Sequence, residues 1–243
     1  MDVRTVALNL RRSADAPLPG SRSPRDPARQ IPAGNHGLAP DEVIAIQRDR
    51  LIDAFVQVIG ERGYPGVAID LVCKRAGVST KAFYKAFRDL DDLFVTTYDL
   101  GKEALFNRAT AAYRTGGPAW QGRVRAALES ILVTLADNPD LARLCIVEAG
   151  AAGPVGHERV MVAIRESCSI FAGATPTVPS PRPFEEMLPL IIGGIFTRIY
   201  FQILEGRTRE LPALLDSLTY FALLPFVGPE QASATHTSRA GTE

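Results

Sequence analysis

The sequence predicts an all-α fold, on three observations. From Pro40 to Phe226 apolar residues recur at helical spacing. No run alternates with the period of two that marks a strand. The apolar runs are separated at helix-breaking clusters such as Thr115-Gly116-Gly117-Pro118, Asn138-Pro139 and the stretch from Gly173 to Pro183. The 243 residues are enough for one large domain or two modest ones with a real core. With 27 Lys and Arg against 27 Asp and Glu the net charge is zero. Affinity for an anionic partner must therefore come from a local patch.

Residues 1–40 are rich in Pro, Arg, Ser, Gly and Ala without an apolar period, a composition that predicts a disordered arm. Arg4, Arg11, Arg12, Arg22, Arg25 and Arg29 against Asp2, Asp15 and Asp26 make it basic. Such an arm is either a solvated tail or a segment that tracks phosphates or enters a minor groove. The first helix is expected from Asp41 or Ile44 to Ile59, with Leu51, Ile52, Phe55, Val56 and Ile59 as its apolar stripe. Asp41 and Glu42 suit its N-terminus, and Gly60 and Gly63 end it. A second helix is expected over 67–75, a third over 80–87, and a long fourth over 91–113, capped by Asp89 and tolerating Gly101. Further helices are expected over 119–137, 139–149, 156–172, 184–205 and 209–226. Gly228-Pro229 should close the last, leaving a disordered polar tail. The implied organisation is an arm (1–40), a first helical domain (41–90), a larger helical domain (91–227) and a tail (228–243).

The second and third helices carry the most information. Leu71 to Arg88 hold five basic residues and no acidic one. Gly77 can take the positive φ that closes a helix, Val78 tucks under the corner, and Ser79 is a good N-cap for the third helix. Thr80, Lys81, Tyr84 and Lys85 then share one face, while Ala82, Phe83, Ala86 and Phe87 are left to pack. A short helix with an apolar back and a small, polar, basic front fits a DNA major groove, as in helix-turn-helix proteins. Thr80 and Lys81, at its N-terminus, are candidates for base edges. Lys74, Lys85 and Arg88 are candidates for phosphates, as are Arg48 and Arg50 on the first helix.

The flanks add a family likeness. An Ile52-x-Ala54-Phe55 helix, Gly63-Tyr64, Ala76-Gly77-Val78-Ser79, Phe83-Tyr84-x-x-Phe87 and the acidic helix start from Leu90 to Phe94 stand in that order. Over about residues 44–98 the pattern resembles the TetR family of bacterial transcriptional regulators. The resemblance implies a helical ligand-binding and dimerisation domain after the DNA-binding one. It also implies a homodimer on a palindromic double-stranded operator, and repression relieved by a small-molecule effector whose identity the sequence leaves open. Tyr84 matches a family tyrosine that bonds a backbone phosphate. Two positions depart from the pattern: Val67 and Ala68 replace a Thr or Ser at the start of the second helix, and Leu90 replaces a Lys. Those departures motivate an alternative, a sensor that kept the fold but lost specific DNA binding.

In the larger domain the expected dimer interface is Ile192, Ile195, Phe196, Ile199, Leu214, Leu218 and Phe221, with Gly193-Gly194 allowing close approach. Arg143, Glu148, His157, Arg165 and Arg198 are the candidate polar groups of an otherwise apolar ligand pocket. Leu188 to Leu204 is nearly long enough to span a membrane, but Arg198, Pro189 and the glycine pair favour a buried helix, so no membrane partner is expected. The N-terminus lacks a secretory signal pattern. Cys73, Cys145 and Cys168 are scattered, without metal or disulfide spacing, which suits reduced thiols in a cytoplasmic protein. His36, His157 and His236 form no evident constellation, Ser167-Cys168-Ser169 is not a nucleophile elbow, and no catalytic residue, metal or cofactor is expected.

Overall fold

The computed structural model describes residues 17–31, 37–171, 173–179 and 182–235. Among these residues every regular element is helical. Helix α1 spans Pro40–Arg62, opening with proline in its first turn and Asp41 and Glu42 beside it. The Glu42 carboxylate accepts the Ala39 backbone N–H at 2.9 Å. A 3-10 turn, Tyr64–Gly66, leads to α2 (Ile69–Ala76) and α3 (Thr80–Ala86). Helix α4 runs from Leu90 to Thr115, starting where the Asp89 side chain accepts the Asp92 N–H at 2.7 Å.

Helix α5 (Trp120–Asp137) returns along α4. The short α6 (Pro139–Ala142) widens into a π-helical turn, Arg143–Glu148, and α7 is Gly153–Ser167. Helix α8 is Phe184–Leu204, and after a 3-10 segment comes α9, Leu215–Ala234.

Two cores hold these elements. One surrounds α1 and joins Phe55, Phe83 and Phe94 to Leu141, Leu144 and Cys145 of the α6 region. The other lies between α5, α8 and α9, where Phe226 packs its ring near Trp120, Phe171 and Phe184. Both α8 and the stretch Thr208–Ala234 are apolar and long enough to cross a membrane. Here Ile191, Ile195, Ile199, Ala222 and Leu223 put their apolar surface into that second core.

The structure departs from the sequence reading at both ends. Residues 17–31, expected within a disordered arm, are folded against α1. Leu18 is 3% exposed and belongs to the first core. The Gly20 N–H donates to Asp53 Oδ1 at 2.8 Å, and Arg29 and Arg22 reach Asp53 Oδ2 at 2.7 and 3.3 Å. Asp53 is fully buried. Burial pushes its carboxyl pKa up, and the Gly20 N–H and the two guanidinium groups pull it back. A buried carboxylate needs such partners, and the arm supplies all three. Gly20 has φ +82, and a Cβ there would run into the Val56 side chain, so the arm crosses α1 at a point only glycine can occupy. Residues 1–16 and 32–36, which hold the rest of the expected arm, lie outside the described residues.

At the other end the chain does not become a tail at Gly228. It breaks there (φ 77, ψ 171), restarts at Pro229 and remains helical to Ala234, because proline suits a first helical turn and Ala232 is fully buried. Residues 236–243 lie outside the described part.

Replacing Asp53 with Ala takes the buried carboxylate from Arg29 and the Gly20 N–H, leaves Arg22 with Asp49 as its partner, and should lower the unfolding free energy by about 3 kcal/mol. Urea denaturation measures this. Arg22→Ala should cost less, since Arg29 holds the shorter bond.

Candidate nucleic-acid interface

The corner between α2 and α3 is built by backbone geometry. Gly77 sits in the left-handed region (φ 62, ψ 42), and the Val78 N–H donates back to the Cys73 carbonyl at 3.0 Å. Val78 is buried under the corner, and Ser79 Oγ accepts the Ala82 N–H at 3.2 Å to start α3. Phe83, with no exposed surface, anchors α3 from behind. Thr80, Lys81, Tyr84 and Lys85 consequently stand together on its solvent side, with Tyr84 58% exposed. The Thr80 hydroxyl donates to Asp70 Oδ1 at 3.2 Å. Lys74 is exposed on the last turn of α2, and Arg88 is exposed just beyond α3, its Nε 3.6 Å from Asp92. Ala68 caps α2 without any side-chain bond, so the start of α2 lacks the hydroxyl that a Thr or Ser would bring.

The other two expected phosphate contacts are engaged elsewhere. Arg48 Nη1 donates to the Ala86 carbonyl at 2.7 Å, its Nη2 to Thr96 Oγ1 at 3.3 Å, and its guanidinium lies 4.4 Å from the centre of the Phe87 ring. It satisfies the C-terminal end of α3. Burial lowers its pKa, against the pull of Asp92 and Asp49. Arg50 Nε donates to the Pro24 carbonyl at 2.8 Å and so holds the arm. Both arginines sit on the half of α1 that packs beside α3 or under the arm, a placement the sequence does not reveal.

The sequence reading also missed Arg25. Its Nη2 and Nε donate to the carbonyls of Lys74 and Arg75 at 2.6 and 3.2 Å, satisfying the end of α2 beside the corner. Only the reversal of the chain at the arm brings it there.

None of the five expected ligand groups lines the apolar cavity. Arg143 Nε donates to Glu148 Oε1 at 2.8 Å, while Glu148 Oε2 accepts the Tyr64 backbone N–H at 2.8 Å. Glu148 is thus a buried tie between the larger domain and the DNA-binding one. His157 bonds the Gly153 carbonyl of its own helix through Nδ1 at 2.8 Å, and Arg165 and Arg198 are exposed.

The cavity, about 120 Å³, lies between α4, α5, α7 and α8. Leu105, Leu132, Ile146, Ile195 and Ile199 form much of its wall, and Lys102 is its only charged lining residue among the described residues. Cys145 also borders it, its thiol pushed up to about 12 chiefly by burial and then by the charge of Asp99. A wider depression of about 970 Å³ opens beside Gly116, Gly117 and Gln231.

Of the expected dimer residues, Ile192, Ile195, Ile199 and Leu218 are buried in their own subunit, Phe196 and Leu214 are half-buried, and Phe221 is 44% exposed. The large apolar side chains left outside on α8 are Leu190, Phe201 and Leu204, at 69%, 49% and 54% exposure. Helices α8 and α9 are apolar nearly all round, so hydrophobicity alone could not tell the inner stripe from the outer one.

Residues 51–97 match the model of the bacterial regulatory proteins of the tetR family. The DNA-binding domain is that of the TetR family. It makes the protein a DNA-binding regulator of transcription. The TetR-like fold extends through the larger domain. The fatty acid degradation regulator FadR from Bacillus halodurans superposes with a TM-score of 0.61 at 16% identity, over 73% of this chain and 94% of that one. FadR from Bacillus subtilis, in complex with stearoyl-CoA, gives 0.59 at 17%, over 76% and 98%. A TetR-like transcriptional regulator from Rhodococcus sp. RHA1 gives 0.50 at 18%, over 74% and 96%.

Substitutions separate base recognition from support of the helix. Lys81→Ala should leave the melting temperature unchanged and abolish preference for the cognate site in a gel-shift competition. Arg48→Ala should lower stability by about 2 kcal/mol, because it leaves the end of α3 unsatisfied. Lys85→Ala should weaken binding to all sequences and reduce the salt slope by about one.

Proposed function

We propose that this TetR-family regulator is a cytoplasmic homodimeric repressor, released from a palindromic operator when an apolar or amphipathic small molecule enters the cavity beside α4. The observation that carries this reading is the continuity of α4. It starts two residues beyond exposed Arg88 and, two to three turns on, presents Tyr98 and Lys102 to the cavity wall. A ligand that favours a different position of α4 shifts the population toward dimers whose recognition helices no longer match the groove spacing. The stearoyl-CoA complex of the Bacillus subtilis FadR, a protein of the same fold, supports a ligand with an apolar chain here.

The dimer in this reading is formed by the exposed ridge of Leu190, Phe201, Leu204 and Phe221. Four large apolar side chains on adjacent helices call for a partner surface. Gly193 has open space where a Cβ would stand, which leaves room for the facing helix. One helix-turn-helix alone contacts too little DNA to be specific, and two recognition helices about 34 Å apart read two half-sites.

The test is site selection from genomic fragments with the full chain, followed by sedimentation of the bound species. A palindromic site occupied by a dimer is expected. Phe201→Glu with Phe221→Glu should yield monomers that keep their helix content and lose at least about a hundredfold in operator affinity. Enrichment of no sequence would remove the repressor reading.

A further inference from the structure

We propose that the cavity takes a short-chain monocarboxylate, its tail among the isoleucines and leucines and its carboxylate on Lys102 in place of Glu166. This rests on the reading of the cavity as the effector site and adds to it the class of effector. Lys102 Nζ lies 2.6 Å from Glu166 Oε2; the lysine side chain is 19% exposed and the glutamate 49%. The lysine side chain is therefore mostly covered at the cavity edge, while its partner is half in water and exchangeable. An incoming carboxylate keeps the charge pair and lets Glu166 return to solvent. A neutral ligand gains nothing there, and a cationic one meets a like charge.

The size of the cavity limits the tail. An apolar cavity of about 150 Å³ holds a benzene, so about 120 Å³ suits a chain of roughly five carbons. Pockets for larger ligands begin near 300 Å³. A long acyl chain would have to force the walls apart.

The pair also has a mechanical position. Among the described residues two ion pairs bind α7 to α4: Lys102 to Glu166, and Arg159 to Asp99 at 3.6 Å. The second is the poorer bond, with Asp99 Oδ1 buried and without a hydrogen-bond partner. Transfer of Lys102 to a ligand carboxylate leaves the weak pair as the one ion pair, among the described residues, between α7 and α4, beside their apolar packing. That loosens the helix that leads to the recognition surface.

Titration calorimetry on the full chain with hexanoate and with hexan-1-ol, matched in length and differing in charge, tests this. Hexanoate should bind at least about tenfold more tightly than hexanol, the worth of one partly buried ion pair. Lys102→Met, which keeps the apolar stem, should remove that advantage, and Glu166→Gln should tighten hexanoate by removing its competitor. Equal binding of the two compounds, no binding of either, or an unchanged hexanoate affinity in Lys102→Met would overturn the proposal. Gel shifts of both variants without ligand keep the two readings apart. Operator binding with no hexanoate site sinks the effector class and leaves the regulator. A Lys102-dependent hexanoate site on a chain that binds no operator does the reverse.

Discussion

Between Leu51 and Ile59, helix α1 is buried at every position but Gln57, and much of the molecule is arranged to cover it. A helix buried all round cannot rest on a single partner. Helices α2 and α3 cover one side, the α6 region another, and the arm a third. Because the enclosure takes in Asp53 as well as the aliphatic and aromatic residues, one of the covering elements has to bring positive charge. Arg22 and Arg29, whose arm reads in the sequence as a solvated tail or a phosphate tracker, serve that need.

The same enclosure fastens the two domains together. Leu141, Leu144 and Cys145 belong to the core around α1, although they come some fifty residues or more after the DNA-binding domain. Glu148 adds a directional bond to Tyr64 at the end of α1. A domain held this way is packed directly onto its supports and does not hang from a flexible linker. Low-barrier separation of the halves would expose Phe55 and Phe94, which have no exposed surface at all.

Where local chemistry decides structure, the sequence was legible. The corner at Gly77, the caps at Ser79 and Asp89, and the outward face of α3 are all set by residues within one or two turns of each other. Long-range pairing was not legible. Arg48 and Lys85 are equivalent by composition, yet one closes α3 from behind and the other faces outward. Arg25 reaches Lys74 across 49 positions. In α8 the choice of inner stripe depends on α5 and α9, and the pattern Leu-Ile-Ile-Gly-Gly-Ile-Phe offers no polar side to orient it. The π-helical turn at Arg143–Glu148 and the cavity arise from packing among several helices and have no linear signature.

The arm's attachment at Asp53 also sets where this protein can be cut and recombined. A DNA-binding module taken from Pro40 onward would carry Asp53 into its new host without Gly20, Arg22 or Arg29, leaving a carboxylate facing an uncovered strip of α1. The transferable unit begins at Pro17 or earlier. In a lineage that had shed the arm, an uncharged residue at position 53 would be the matching change, so the two features form a single heritable module although more than twenty residues separate them.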